Sequence, residues 1–195
     1  MTVALAILTL LAALASLAAL ARVHLLATGC RPLSNAVSDF GVGPHRVWYR
    51  AQTAAMAYAA LFLAAEVARE THPVPRELVF LLLVLAAARL AIPSFPTDLD
   101  RGAPTVTGRI HVLLAGIAFA AVAWAAAIFP DRVATGAHGF FVALGWVVVA
   151  TAAACGLSMT RALRASAAPY FGAIERVFYA AVYVWFVAAS VHFIA

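Results

Sequence analysis

Three polar clusters interrupt an otherwise apolar chain, and they hold the side chains that could do chemistry. The first runs from Asn35 through Ser38, Asp39, Gly41 and Gly43 into Pro44-His45-Arg46. The second is Phe95-Pro96-Thr97-Asp98, followed by Thr105, Thr107, Gly108, Arg109, Ile110 and His111. The third, Gly172 to Arg176, carries Glu175 and Arg176 and leads into Tyr179. Carboxylates beside imidazoles can exchange protons or hold a divalent cation. Guanidinium groups beside amides and hydroxyls can instead clamp an anion. Asp39, Asp98, His111 and Glu175 are therefore candidate acid–base residues or metal ligands, and Asn35, Ser38, His45, Arg109, Arg176 and Tyr179 candidate binding residues.

Each has a structural reading beside the chemical one. Thr97-Asp98 after a proline and Ser38-Asp39 before Phe40-Gly41 are good turn or cap sequences, with side-chain oxygens accepting orphan backbone N–H groups. Glu175 in a first helical turn complements the helix dipole and could pair with Arg109 or Arg176. His111, about one residue inside an apolar helix, could hydrogen-bond a loop carbonyl and anchor the interface. It shares a face with Ala115 and Ala118, which would let another helix approach. Glu175, Tyr179 and Tyr183 recur every four residues, a polar stripe expected to face inward. All these groups are expected at one depth on one side of a membrane, where a shared low-dielectric pocket would perturb them jointly.

The elements that position them follow from composition. A mean hydropathy of +0.99, with 66% hydrophobic and 11% charged residues, leaves too little polar material to coat a soluble globule of 195 residues. A span takes about 20 apolar residues. Thr2–Leu26, Val47–Ala68, Ile110–Phe129, Gly139–Met159 and Ala173–Ala195 meet or approach that length. A shorter sixth stretch, Leu78–Ile92, carries Arg89, which is expected to snorkel to the headgroups from a helix end. The expected architecture is an all-α bundle of six transmembrane helices forming a single domain over residues 1–195. Trp48, Tyr49, Tyr170 and Phe171 are expected as one interfacial aromatic belt, and Trp124, Phe129, Phe140 and Phe141 as the other.

The chain has no lysine. Of its 13 arginines, ten fall in or beside the loops after the first, third and fifth spans, and Arg69, Arg76 and Arg132 lie on the other side. Such a bias predicts that those three loops are cytoplasmic and both termini outside, in a multi-pass protein of the cell membrane. Met1 to Ala21 carries no charged side chain, so the first segment reads as an uncleaved span. The pI near 9.9 comes from scattered residues with no basic run. Anionic lipid, and not nucleic acid, is the partner this distribution implies. Cys30 and Cys155 are expected as reduced thiols and make no ligand pattern.

The outward turns, Glu70 to Glu77 and Pro130 to His138, are short and marked by proline or glycine. The inward loops Ala27 to Arg46 and Pro93 to Arg109 are long and rich in Pro, Gly, Ser, Thr and Asp. They are expected to fold back over the bundle on the apolar anchors Phe40, Phe95 and Leu99. His24, His72, His138 and His192 find no partner at useful spacing and read as interfacial.

In three stretches the chain resembles the integral membrane family called domain of unknown function 998. They are Asn35 to Gly43 (NAVSDFGVG), Phe95 to Asp98 (FPTD) with Gly108 to His111 (GRIH), and Glu175 to Tyr179 (ERVFY). The resemblance covers essentially the whole chain and implies a membrane bundle, with no particular activity attached. The residues therefore carry the functional reading. The first expectation is a polar cytoplasmic-side site that binds a lipid headgroup or small solute. The alternative is a membrane-embedded hydrolase or lipid-modifying enzyme using Asp39, Asp98, His111 and Glu175. An electron carrier would need histidine pairs on facing helices, which the spacing does not supply. A purely structural subunit needs no site. No G-x-S-x-G, H-E-x-x-H or P-loop motif occurs, and no metal or cofactor is assigned from the sequence.

Overall fold

The computed structural model describes residues 3–26, 29–99, 105–164 and 170–195, with backbone alone at 135 and 160–164. Six α-helices account for most of them: α1 (Val3–His24), α2 (Arg46–Glu70), α3 (Arg76–Ala91), α4 (Val106–Arg132), α5 (His138–Arg164) and α6 (Phe171–Ile194). All six are long and apolar enough to cross a membrane, α3 together with the 3-10 turn Ile92–Ser94 that extends it. The expected six-span bundle is thus the observed one. α4 continues through Pro130 to Arg132, where a turn was expected. In the last turn of a helix a proline displaces only one backbone bond, so the helix need not stop.

Each helix packs on its neighbour in sequence, and α1 packs on α6, so the six close into a ring. Small residues allow the approach: Ala57, Ala59, Ala60 and Ala64 of α2 are buried, and Gly145 of α5 lies against the backbone of Ala126 in α4. Inside the ring, side chains that reach the axis add contacts between neighbouring helices and between helices that are not neighbours. At the end that holds both termini these are aromatic. Phe129 of α4 lies 5.5 Å from Trp185 of α6 between ring centroids, and 4.9 Å from Phe141 of α5. Tyr49, Phe129 and Phe141 are therefore core residues and not belt residues, whereas Trp48, Trp124, Phe140 and Tyr170 do lie on the surface. The outer surface is otherwise apolar, as a hydrocarbon-facing surface must be, with Leu11, Phe80, Leu113 and Trp146 all more than half exposed.

Toward the far end, opposite the termini, the axis becomes polar. The segment 29–45 folds back over that end through the 3-10 turn Val37–Gly41, whose Val37 and Phe40 are buried. Phe40 is the anchor expected there. Leu99 is not, being 54% exposed.

Candidate functional site

Arg89, in the last full turn of α3, is 3% exposed and points into the bundle. It does not snorkel. Acceptors from α2 and α6 are within reach on the axis, and a guanidinium that finds them there gives up less than one stretched toward headgroups. Nη1 donates to the Tyr179 hydroxyl (2.8 Å) and Nη2 to Gln52 Oε1 (2.9 Å). Because arginine only donates, the Gln52 amide is oriented, and its Nε2 donates to the Tyr183 hydroxyl at 2.9 Å. Ser16 Oγ donates to the Gln52 carbonyl (2.8 Å), so at the 2.9 Å Ser16–Tyr183 contact the tyrosine is the donor. One directed chain thus ties α1, α2, α3 and α6 together. The guanidinium also lies over the Tyr179 ring, 5.4 Å from its centroid. Among the described residues no carboxylate pairs with Arg89, and its Nε has no hydrogen-bond partner.

The folded-back segment is pinned above this core. Glu175, 4% exposed, accepts the Val37 N–H at 2.6 Å. Asn35 Nδ2 and the Ala36 N–H both donate to Asp39 Oδ2, at 2.9 and 3.0 Å, while Asn35 Oδ1 accepts from the Arg31 N–H. Arg176 donates to the Asn35 and Gly172 carbonyls and to His24 Nε2, and its guanidinium sits over the Phe40 ring. A Cβ at Gly172 would strike the Asn35 and Pro32 carbonyls, so only glycine lets the start of α6 seat against this segment. Burial pushes the Asp39 carboxyl above its ordinary range, opposed by the bonds from Asn35 and Ala36 and by the nearby Arg176 and His111 charges.

A third unit joins α3 to α4. Thr105 caps α4, accepting the Gly108 N–H at 3.0 Å, and Asp98 in turn accepts the Thr105 N–H and hydroxyl at 3.0 and 2.7 Å. Gly108 leaves the space that the Asp98 carboxylate fills. His111, 4% exposed, is 2.7 Å from the Phe95 carbonyl through Nδ1, which must carry the proton, since a carbonyl only accepts.

Of the residues singled out in the sequence, Asn35, Asp39, Glu175 and Arg176 meet in one cluster, and Tyr179 joins the adjoining Arg89 network. Asp98 and His111 belong to the α3–α4 connection, with His111 in electrostatic range of both Asp39 and Asp98. Arg109 is exposed, and Ser38 and His45 are half-buried outside these hydrogen bonds. Two histidines do have partners after all: His24 accepts from Arg176, and His138 lies 2.8 Å from Asp131. Ser16, Gln52 and Arg89 lie outside the three polar clusters of the sequence. Gln52 was detectable, because an amide inside an apolar span requires a partner. Glu66, near the other end of α2, also lies outside the three polar clusters of the sequence. It is 1% exposed, and neither carboxyl oxygen has a partner among the described residues.

Beside Arg89 the bundle opens. A cavity of about 340 Å³ lies where Arg50, Thr53 and Ala54 of α2 face Arg89, Leu90 and Ser94 at the end of α3. Among the described residues no group of three His, Cys, Asp or Glu side chains is placed to hold a metal ion.

A closed ring of six span-length helices, with a network of buried polar side chains across its axis toward one end, defines a multi-pass helical membrane protein. Within that class, the family described as Protein of unknown function (DUF998) matches residues 10–192, and the chain belongs to it. No curated protein and no solved structure matches.

Proposed function

We propose that this protein binds an anionic group, a lipid headgroup or a small solute, at the far end of the ring, with that end facing the cytoplasm of the cell membrane. The observation that carries the reading is Arg89: a buried guanidinium satisfied only by neutral side chains, beside a cavity that brings a second arginine, Arg50, and no carboxylate. A buried charge with no carboxylate in contact is costly in a medium of low dielectric; Glu175 is in electrostatic range but binds the Val37 N–H, and an anion in the cavity would supply the missing contact. Acid–base chemistry gains no comparable support. Asp39, Asp98, Glu175 and His111 each bond to backbone groups of the segments they hold.

The test is thermal unfolding of the detergent-purified protein against a series of anionic and zwitterionic headgroup analogues. Anionic members should raise the midpoint, and Arg50→Ala with Arg89→Lys should remove the rise. Equal response to both charge types, or none to any anion, would sink the reading.

A further inference from the structure

We propose that the anion is the phosphate of an anionic phospholipid that enters sideways from the bilayer, between α2 and α3. This rests on the reading above that Arg89 and Arg50 receive an anion, and adds the class of ligand and its route.

Depth gives the first argument. Arg50 is four residues into α2, about 6 Å along its axis at 1.5 Å per residue. Arg89 and Leu90 are in the last turn of α3, and Ser94 ends the 3-10 turn beyond it. The opening thus sits within one or two turns of the span ends. A bilayer places its headgroups there, since about 30 Å of hydrocarbon lies within a total of about 40 to 45 Å.

The second argument is the mixed lining. Arg50 is exposed, Leu90 is 48% exposed and Ala54 is half-buried, so the opening faces the lipid side of the ring instead of its axis. From it an apolar track runs toward the membrane centre: Tyr58 lies one turn beyond Ala54, and Leu83 two turns back from Leu90 on the same face. Both are about half exposed. A free anion needs no such track, whereas an acyl chain does.

Donor chemistry gives the third. Thr53 uses its hydroxyl proton on the Arg50 carbonyl and forms wall only. Arg89 has five N–H donors and uses two in the bonds to Tyr179 and Gln52. Arg50, the remaining Arg89 donors and the Ser94 hydroxyl suit phosphate oxygens. No lining residue is acidic, so the cationic end of a choline headgroup would meet only like charge.

The experiment uses the full chain in detergent with three probes: dioleoyl phosphatidylglycerol, dioleoyl phosphatidylcholine and inorganic phosphate. Native mass spectrometry reads retention, and thermal unfolding reads stabilisation. Phosphatidylglycerol should be retained and stabilising, and the other two should not. Arg50→Ala, at an exposed position that leaves the core intact, should weaken phosphatidylglycerol binding about tenfold or more, as losing a charge-assisted hydrogen bond does. Ala54→Trp should block lipid entry without touching either arginine.

If inorganic phosphate stabilises as well as the lipid, or Ala54→Trp leaves lipid binding intact, the lipid route is wrong and anion binding stands. If phosphatidylcholine binds equally, charge selection fails and both fall. If neither anion binds and Arg50→Ala changes nothing, both fall as well.

Discussion

Glu175 and Arg89, an acid and a base, lie at the same end of the ring, yet they do not pair. Each instead holds something neutral: Glu175 the Val37 N–H, Arg89 the Tyr179 and Gln52 side chains. Asp39 gives this arrangement a pH dependence. Its folded-state carboxyl titrates above the ordinary value because of burial, so the fold favours the protonated acid. Its contribution to stability is therefore full in acid and is lost as pH rises through the raised value. Asp39→Asn imitates the neutral acid at every pH. The unfolding midpoint of the wild type should fall relative to that of Asp39→Asn as pH rises from about 4, the ordinary aspartate value at which the window opens. A relative rise over that window would show the charged form to be the favoured one. At this scale the sequence was legible in part. The spacing of Glu175, Tyr179 and Tyr183 showed an inward stripe, and all three are buried. What the stripe meets was not legible, because Arg89 and Gln52 lie 90 and 131 residues from their tyrosine partners and only ring closure brings them together.

The helices themselves were the most legible elements, since length and hydropathy fix a span without reference to any partner. The fold-back of 29–45 was legible as a tendency, from its prolines, glycines and Phe40, but not in its attachment. That attachment is to the first turns of α6 and the last of α1: Ala173 donates to the Leu33 carbonyl at 3.0 Å, and Arg176 bridges Asn35 and His24. Gly172 is the fulcrum. Gly172→Ala places a methyl group into two carbonyls that cannot retreat without breaking these bonds together. The expected cost is about 1 to 3 kcal/mol, the usual range for overpacking. Amide hydrogen exchange should localise the damage, with faster exchange at residues 35–41. Gly43→Ala, where an added methyl group meets nothing within 4 Å, should leave exchange unchanged. Equal exchange in the two variants would mean that the segment is held by something other than its seat on α6.

For the molecule as a whole, an even number of antiparallel spans puts both termini at one end, and the charges at the two ends differ in kind. At the termini end two of the three arginines have acids beside them: Arg69 lies 3.4 Å from Glu70 and Arg132 3.9 Å from Glu77, His138 pairs with Asp131, and Arg76 alone is exposed without an ion pair among the described residues. At the far end Arg22, Arg31, Arg46, Arg50 and Arg109 are exposed and, among the described residues, make no ion pair. Unpaired arginines resist transfer across a membrane and favour the side with the anionic leaflet, worth about 1 kcal/mol each near such a surface. The far end, with the Arg89 cavity, should therefore face the cytoplasm. Single cysteines in a background without Cys30 and Cys155 test this with a membrane-impermeant maleimide on intact cells. His72→Cys and Asp131→Cys, exposed at the termini end, should label from outside. Ser34→Cys, exposed in the fold-back segment, should label only after the membrane is permeabilised. The reverse pattern would turn the molecule over and leave the cavity facing away from the lipid leaflet its arginines fit. Labelling of Ser34→Cys and His72→Cys from the same side would mean that α2 does not cross, and the six-span arrangement itself would fall.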